Sequence, residues 1–309
     1  MSPIIPVIFA TLSPVILLIV LGFFLREKNF LPETFFTQLN KLNYFIGLPS
    51  LLIAKLGGAG TNLGAVLPLI MSLIAATFFA VIISVMIAYL VKSDKAEKGA
   101  LIHASFRGNL AYLGLPIIIY FFEGKTELHG FAAICLAPLI LLYNTLAVFF
   151  LIIFSKKEQK ISPKIFIGKL ITNPLLIGCA IGTCLSYSSI SPIALKPFEL
   201  VGEFALPSAL IALGASLRLD RLKGKLLLPG IASVIKLIIT PLAGYLIGFY
   251  IFNLSADHLK LIMIFLATPT AVASFVLAEQ MDSDTDLAAT SIVLSALLCF
   301  IPIAIILAL

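Results

Sequence analysis

Apolar runs of about 20 residues, parted by short polar stretches, recur along the whole chain. At about 1.5 Å rise per residue, a run of that length crosses the hydrocarbon core of a bilayer as one helix. In lipid every backbone group must be bonded internally, so spans are helices or closed barrels. Barrel strands would show alternating segments of about ten residues, which this chain does not have. The pattern predicts ten transmembrane helices over residues 3–25, 33–55, 64–91, 99–122, 129–154, 166–187, 195–216, 225–250, 258–280 and 286–309. The third run is long enough to tilt.

The polar stretches set the direction of threading. The loops after spans 1, 3, 5 and 7 carry Arg26, Lys28, Lys92, Lys95, Lys98, Lys156, Lys157, Lys160, Lys164, Lys169, Arg218, Arg221, Lys223 and Lys225. The loops on the other side carry only Lys55, Lys125, Lys196 and Lys260. Positive charge is retained inside, which predicts cytoplasmic odd loops and both termini on the outer face.

The chain also repeats itself. Leu48-Pro49-Ser50-Leu51-Leu52-Ile53-Ala54 returns 158 residues later as Leu206-Pro207-Ser208-Ala209-Leu210-Ile211-Ala212. Pro14 and Gly22 match Pro174 and Gly182 at an offset of 160, and Pro68 matches Pro229 at 161. A looser match joins Pro116 to Pro269, 153 apart. Residues 1–154 and 166–309 then form two five-helix repeats, joined by a cytoplasmic linker at 155–165. Because five is odd, the second copy inserts upside down, giving an inverted repeat. Such duplication, with prolines deep in the spans, is the pattern of a secondary transporter.

Composition agrees with lipid as the solvent: 61% of the 309 residues are hydrophobic and 12% charged, and the mean hydropathy is +1.14. The first run follows no basic segment, so it is expected to be a retained span rather than a cleaved signal. The formal charge of +6 sits in loops and reports orientation, not nucleic-acid binding. Cys135, Cys179, Cys184 and Cys299 fall inside spans with neither disulfide nor zinc spacing, and are expected to pack as small apolar residues. No cofactor is expected.

Charges and helix breakers inside spans are costly and mark candidate function. In span 4, Arg107, Gly108 and Asn109 lie about 12–15 Å deep, near the midplane. Gly114 and Pro116 follow, so this helix is expected to break. In span 9, Thr268, Pro269 and Thr270 lie near the centre, with Ser274 one turn on. Two broken helices in corresponding positions would meet, with half-helix N-termini turned to the midplane, where their partial positive charge suits a carboxylate. Kinked packing helices are the plainer reading. Lys236, about eleven residues into span 8, is also near the midplane. It serves as a fixed cation for an anion or a coupling ion's stand-in, or else as one half of a structural pair with Glu203, or it snorkels. Arg107 contacts substrate or pairs internally, and Glu203 pairs with a cation or relays protons. His103 is a helix-to-helix hydrogen-bond partner or a ligand. Lys41 is expected to snorkel, and Asp282 to Asp286 to form a solvated turn and helix cap. Pro49 and Pro207 shape the scaffold or line the cavity.

At these residues the chain resembles the auxin efflux carrier family, which includes malate and malonate permeases and auxin exporters. The likeness covers the whole length. Asn109-Leu110-Ala111-Tyr112-Leu113-Gly114-Leu115-Pro116 is similar to the family's span 4 crossover. Phe275 to Met281 with Asp286-Leu287 resembles its span 9 ending, and Leu206 to Ala215 its span 7. Asn173-Pro174 and Lys236-Leu237 with Pro241 also fit. The resemblance implies a fold shared with bile-acid/sodium symporters. Spans 1, 2, 6 and 7 would form a scaffold and a homodimer interface, and spans 3–5 and 8–10 a transport domain moving as an elevator. It further implies that Asn109 and the Pro116 region contact the carboxylate of a small organic anion. Plant members have a second crossover proline where this chain has Ser274, and a long central loop where this one is short. The short loop points to a prokaryotic inner-membrane protein.

Two other readings remain, a second kind of transporter and a non-transporting receptor. A sodium-coupled symporter would need oxygen ligands at the crossover, and span 9 offers Thr268, Thr270 and Ser274 without a central acid. A membrane receptor would be expected to bring a signalling domain. Intramembrane hydrolase motifs are absent from the sequence, so an enzyme is not expected.

Overall fold

A computed structural model describes residues 4–58, 63–155, 168, 172–187 and 192–309. The linker beyond Ser155, with Lys156, Lys157, Lys160, Lys164 and Lys169, and the first residues of the sixth predicted span lie outside the described residues, as does Pro3.

Every regular element among the described residues is helical. The α-helices are α1 (Ile4–Glu27), α2 (Glu33–Leu42), α3 (Leu48–Gly57), α4 (Leu63–Leu90), α5 (Lys95–Phe106), α6 (Leu115–Phe121), α7 (Thr126–Ile153), α8 (Pro174–Ser186), α9 (Pro192–Ser216), α10 (Leu227–Val234), α11 (Thr240–Tyr250), α12 (Ala256–Leu266), α13 (Ala273–Gln280), α14 (Thr285–Leu298) and α15 (Phe300–Ala308). Among the described residues, six segments are long and apolar enough to cross a membrane: Ile5–Glu27, Gly64–Leu90, Thr126–Ile153, Ile193–Ser216, Leu227–Tyr250 and Thr285–Ala308. This is the build of a polytopic membrane protein.

Local chemistry explains where helices start. Asp94 accepts from the Glu97 amide (2.8 Å) while Glu97 reaches back to the Asp94 amide (2.9 Å), a capping box that opens α5. Asn173 caps α8, with Pro174 in its first turn, where a missing N–H costs nothing. Asp284 accepts from the Leu287 amide (2.7 Å) and opens α14, so the acidic turn is a helix cap.

Prolines explain where helices widen. The π-helical turns Asn43–Gly47, Leu110–Gly114 and Ile235–Ile239 each end two residues before a proline: Pro49, Pro116 and Pro241. A proline cannot bond the carbonyl four residues back, and its ring pushes that carbonyl away. Inserting one residue into the turn relieves the clash. The widened turns carry Asn43 and Lys236, both fully buried.

The chain divides into two compact units. The first holds Met1–Val66, Ala111–Pro138 and Ile161–Ser216. Within it α1 packs on α9, and α3 packs on both α8 and α9. These contacts are close because they meet on glycine. A Cβ on Gly22 would overlap the backbone of Ile211, and one on Gly214 would overlap that of Ile19. Gly178 faces the backbone of Pro49, and Gly182 that of Ile53. Small residues at such contacts let helices approach in lipid, where apolar surface gives no net drive to associate. Buried Ser208 donates to Asn43 Oδ1 (2.8 Å) and locks α9 to the widened turn.

The second unit holds Leu67–Leu110, Leu139–Lys160 and Leu217–Leu309. In it α10 packs on α5 and α14, and α11 on α12.

Candidate functional site

The helix α5 stops at Phe106 and α12 stops at Leu266; the chain runs on extended past Arg107, and past a turn at Ala267 and Thr268. The two extended pieces lie antiparallel in the second unit and pair through Gly108 and Thr270. The Asn109 amide donates to the Pro269 carbonyl (2.8 Å), and the Ala271 amide donates to the Arg107 carbonyl (3.0 Å). This pairing offsets part of the cost of leaving a helix in a buried place, because two freed amides find carbonyls on the other segment.

The helix ends need partners too, since the last carbonyls of a helix have no amide to bond. Thr270 Oγ1 donates to the Ala104 carbonyl (2.9 Å) and so serves the end of α5. Lys236 Nζ donates to the Leu266 carbonyl, at the end of α12. An ammonium is well matched to a helix C-terminus, which carries partial negative charge. Lys236 is 0% exposed, and its ammonium lies over Gly108. A Cβ at Gly108 would come within 2.9 Å of that nitrogen and would collide with Thr268 Oγ1. Glycine is required here for close approach, not for backbone conformation.

The structure thus brings together Arg107, Gly108, Asn109, Lys236, Thr268, Pro269 and Thr270. Thr268 Oγ1 bonds back to the Phe265 carbonyl (2.7 Å). Ser274 is buried in the first turn of α13, and its hydroxyl has no hydrogen-bond partner among the described residues. Gly114 and Pro116 belong to the first unit, where they end one widened turn and open α6. There Tyr112 donates to the Asn40 carbonyl (3.3 Å).

The structure gives some of these side chains partners. Arg107 Nη2 donates to Asn144 Oδ1 (3.0 Å), so it has an internal partner. Lys236 bonds a backbone carbonyl and not the Glu203 carboxylate. Glu203 is exposed and lines a cavity in the first unit, which speaks against the Glu203 pair given as one alternative for Lys236. His103 is buried, its ring tilted against Phe106 at 5.8 Å, with Nε2 unpartnered among the described residues. Lys41 is exposed. Cys135, Cys179 and Cys299 are buried as expected, but Cys184 is exposed.

Two supporting residues escape the sequence reading. Asn144 of α7 holds Arg107, and Ser295 of α14 accepts from the Thr270 amide (3.0 Å) while donating to the Ser291 carbonyl (2.6 Å). Their signal was a polar side chain in the middle of an apolar span, a serine pair at helical spacing in the second case. Ser295→Ala leaves the Thr270 amide buried without an acceptor, at a cost of about 1–3 kcal/mol. We expect a lower thermal unfolding midpoint in detergent than for the wild type. An unchanged midpoint would remove Ser295 from the support of the crossing.

Residues 7–307 match the model of the membrane transport protein family, the auxin efflux carriers. The chain belongs to this family. It is also similar to an uncharacterized transporter of Methanocaldococcus jannaschii, with 24% identity over 298 residues, covering 94% of each chain. In this member of the family the paired segments and the helix ends that lead into them, residues 104–109 and 265–271, contain no Asp or Glu but carry Arg107 and meet Lys236. The pairing is therefore lined by basic side chains and by no acid.

Proposed function

We propose that this transporter is a permease for small organic anions, and that the anion's carboxylate binds where the extended segments cross. The observation that carries this reading is the fully buried Lys236, set over Gly108 at a crossing that holds no acid. Arg107, Asn109, Thr268, Pro269, Thr270 and Ser274 complete the site, with Gly114 and Pro116 shaping the segment after it. The reading includes ten spans in two inverted five-helix repeats. Its support is that Phe106 and Leu266, the helix ends at the crossing, are 160 residues apart, matching the offset of Gly22 and Gly182. The glycine contacts add to it: Gly22 meets Ile211 and Gly182 meets Ile53, and Ile53 and Ile211 are themselves matched at 158.

The mechanism we infer is an elevator, in which spans 3–5 and 8–10 carry the site and spans 1, 2, 6 and 7 stay as scaffold and homodimer contact. The division into compact units supports this in part. It groups α1, α2, α3, α8 and α9, but gives α6 and the start of α7 to the same unit. The setting is a prokaryotic cell membrane, with both termini outside.

The test is uptake of labelled malate, malonate, succinate and indole-3-acetate into proteoliposomes, with and without sodium and a pH gradient. We expect saturable transport of at least one anion, reduced about tenfold or more in Asn109→Ala, the loss of roughly one hydrogen bond to a charged group. Lys236 occupies the helix C-terminus that a coupling cation would otherwise neutralise, so removing sodium should leave the rate unchanged. A rate that collapses without sodium would favour the symporter reading. No transport of any anion by folded protein would sink the carboxylate site.

A further inference from the structure

The first unit contains a cavity of ≈ 750 Å³ that shares no residue with the crossing. Its polar lining combines the Glu123 and Glu203 carboxylates and His129 with Lys55 and the Thr11 and Tyr120 hydroxyls. Pro14 and Pro207 both line it and lack amide hydrogens, so the carbonyls of Ala10 and Glu203, four residues earlier and also in the lining, lose their helical donors. The Glu203 and Glu123 carboxylates are exposed in the same lining.

His129 supplies an independent pointer to a ligand. It is 7% exposed and lines the cavity, and its Nε2 has no hydrogen-bond partner among the described residues. The ring bonds the backbone at Phe122 and Ile119, and these bonds fall to Nδ1 because Nε2 makes none. With Nδ1 donating, the neutral ring presents Nε2 as a buried acceptor that lacks a donor. Against these acceptors the lining sets one cation, Lys55, which also feels Glu199 on α9. Lys196 is held by Glu199 (2.9 Å), and Lys125 stands over the Phe122 ring at 5.4 Å. Thr11 and Tyr120 add hydroxyls to the wall, and Val7, Ile119 and Leu206 give it an apolar face.

We propose that this cavity is a second binding site, for a primary ammonium compound carrying an apolar group. The ammonium hydrogens meet the Glu203 carboxylate, the freed carbonyls and His129 Nε2, and the apolar group lies on the Val7, Ile119 and Leu206 wall. An anion of the same size is disfavoured, because two carboxylates face one lysine. The site is independent of the anion reading of the crossing.

The experiment is calorimetric titration of phenethylammonium chloride into the full-length protein in nanodiscs, with phenylacetate and 2-phenylethanol as controls of equal shape. We expect saturable binding of the ammonium at least tenfold tighter than of either control. Glu203→Gln should weaken it tenfold or more, and Lys236→Met should leave it unchanged. Glu123→Gln, in an exposed turn, should also weaken binding and carries the test if Glu203→Gln does not fold. Equal binding of 2-phenylethanol, no saturable binding, or wild-type affinity in the glutamate variants would overturn the proposal.

Discussion

Lys236→Met should cut anion uptake about ten- to hundredfold, the loss of one or two contacts to a charged group at about 1.5–3 kcal/mol each. The fold should survive. Removing the ammonium strips the Leu266 carbonyl of its donor, a penalty. The same change removes a buried charge and fills its place with an apolar chain of similar length, a gain that is often as large. The unfolding midpoint is therefore expected near that of the wild type, so transport and stability separate. Lys236→Arg should not rescue uptake. A guanidinium is broader than an ammonium, and the nitrogen already sits where a single Cβ on Gly108 would be 2.9 Å away. Initial uptake rates in proteoliposomes, beside thermal unfolding of the same preparations, check both halves. Uptake within threefold of the wild type in Lys236→Met would take Lys236 out of the site and leave it as a helix cap.

How much of this was legible beforehand follows from the solvent. Lipid and protein core are both apolar, so a span reads clearly as a run, yet its inward and outward faces carry little contrast. Helix α1 shows this: Leu12 and Val15 are buried while Phe9 and Leu17 are exposed, and nothing in their character separates them. The ends of α5 and α12 were readable because Gly108 and Pro269 are poor helix formers, and the burial of Lys236 was readable from its place inside an apolar run. Its partner was not. A carboxylate, Glu203, was the natural guess for a buried ammonium, but the partner is a carbonyl freed by the end of α12, and carbonyls leave no mark in a sequence. The prolines Pro49, Pro116 and Pro241 announced kinks, but the widened turns before them depend on how each ring clash is relieved. Contacts such as Thr270 with Ala104, or Arg107 with Asn144, join distant positions through side chains that look ordinary for their spans. The looser proline match of Pro116 with Pro269 also misled: Pro116 lies in α6, beyond its break, whereas Pro269 lies inside the extended segment.

Gly22→Ala and Gly214→Ala should each destabilise the protein by about 3 kcal/mol or more, at the upper end of overpacking costs. The added methyl would overlap a backbone carbonyl in each case, that of Ile211 or of Ile19, and a backbone atom inside a helix cannot step aside. α1 and α9 would have to part along their contact, and in lipid the lost packing is not offset by any hydrophobic gain. Gly182→Ala, the repeat-matched change, should cost clearly less. Its methyl would lie 2.8 Å from the Leu56 side chain and 3.0 Å from the Leu52 carbonyl oxygen, so shifts of a few tenths of an ångström accommodate it. The double variant Gly22→Ala with Gly214→Ala should cost less than the two single costs together. Once the first methyl has pushed the helices apart, much of the second clash is already relieved, and neighbouring sites sharing one contact are not additive. Thermal unfolding of all four variants in one detergent checks the order. Equal losses for Gly22→Ala and Gly182→Ala, or full additivity in the double variant, would mean that close approach of α1 and α9 is not what these glycines secure.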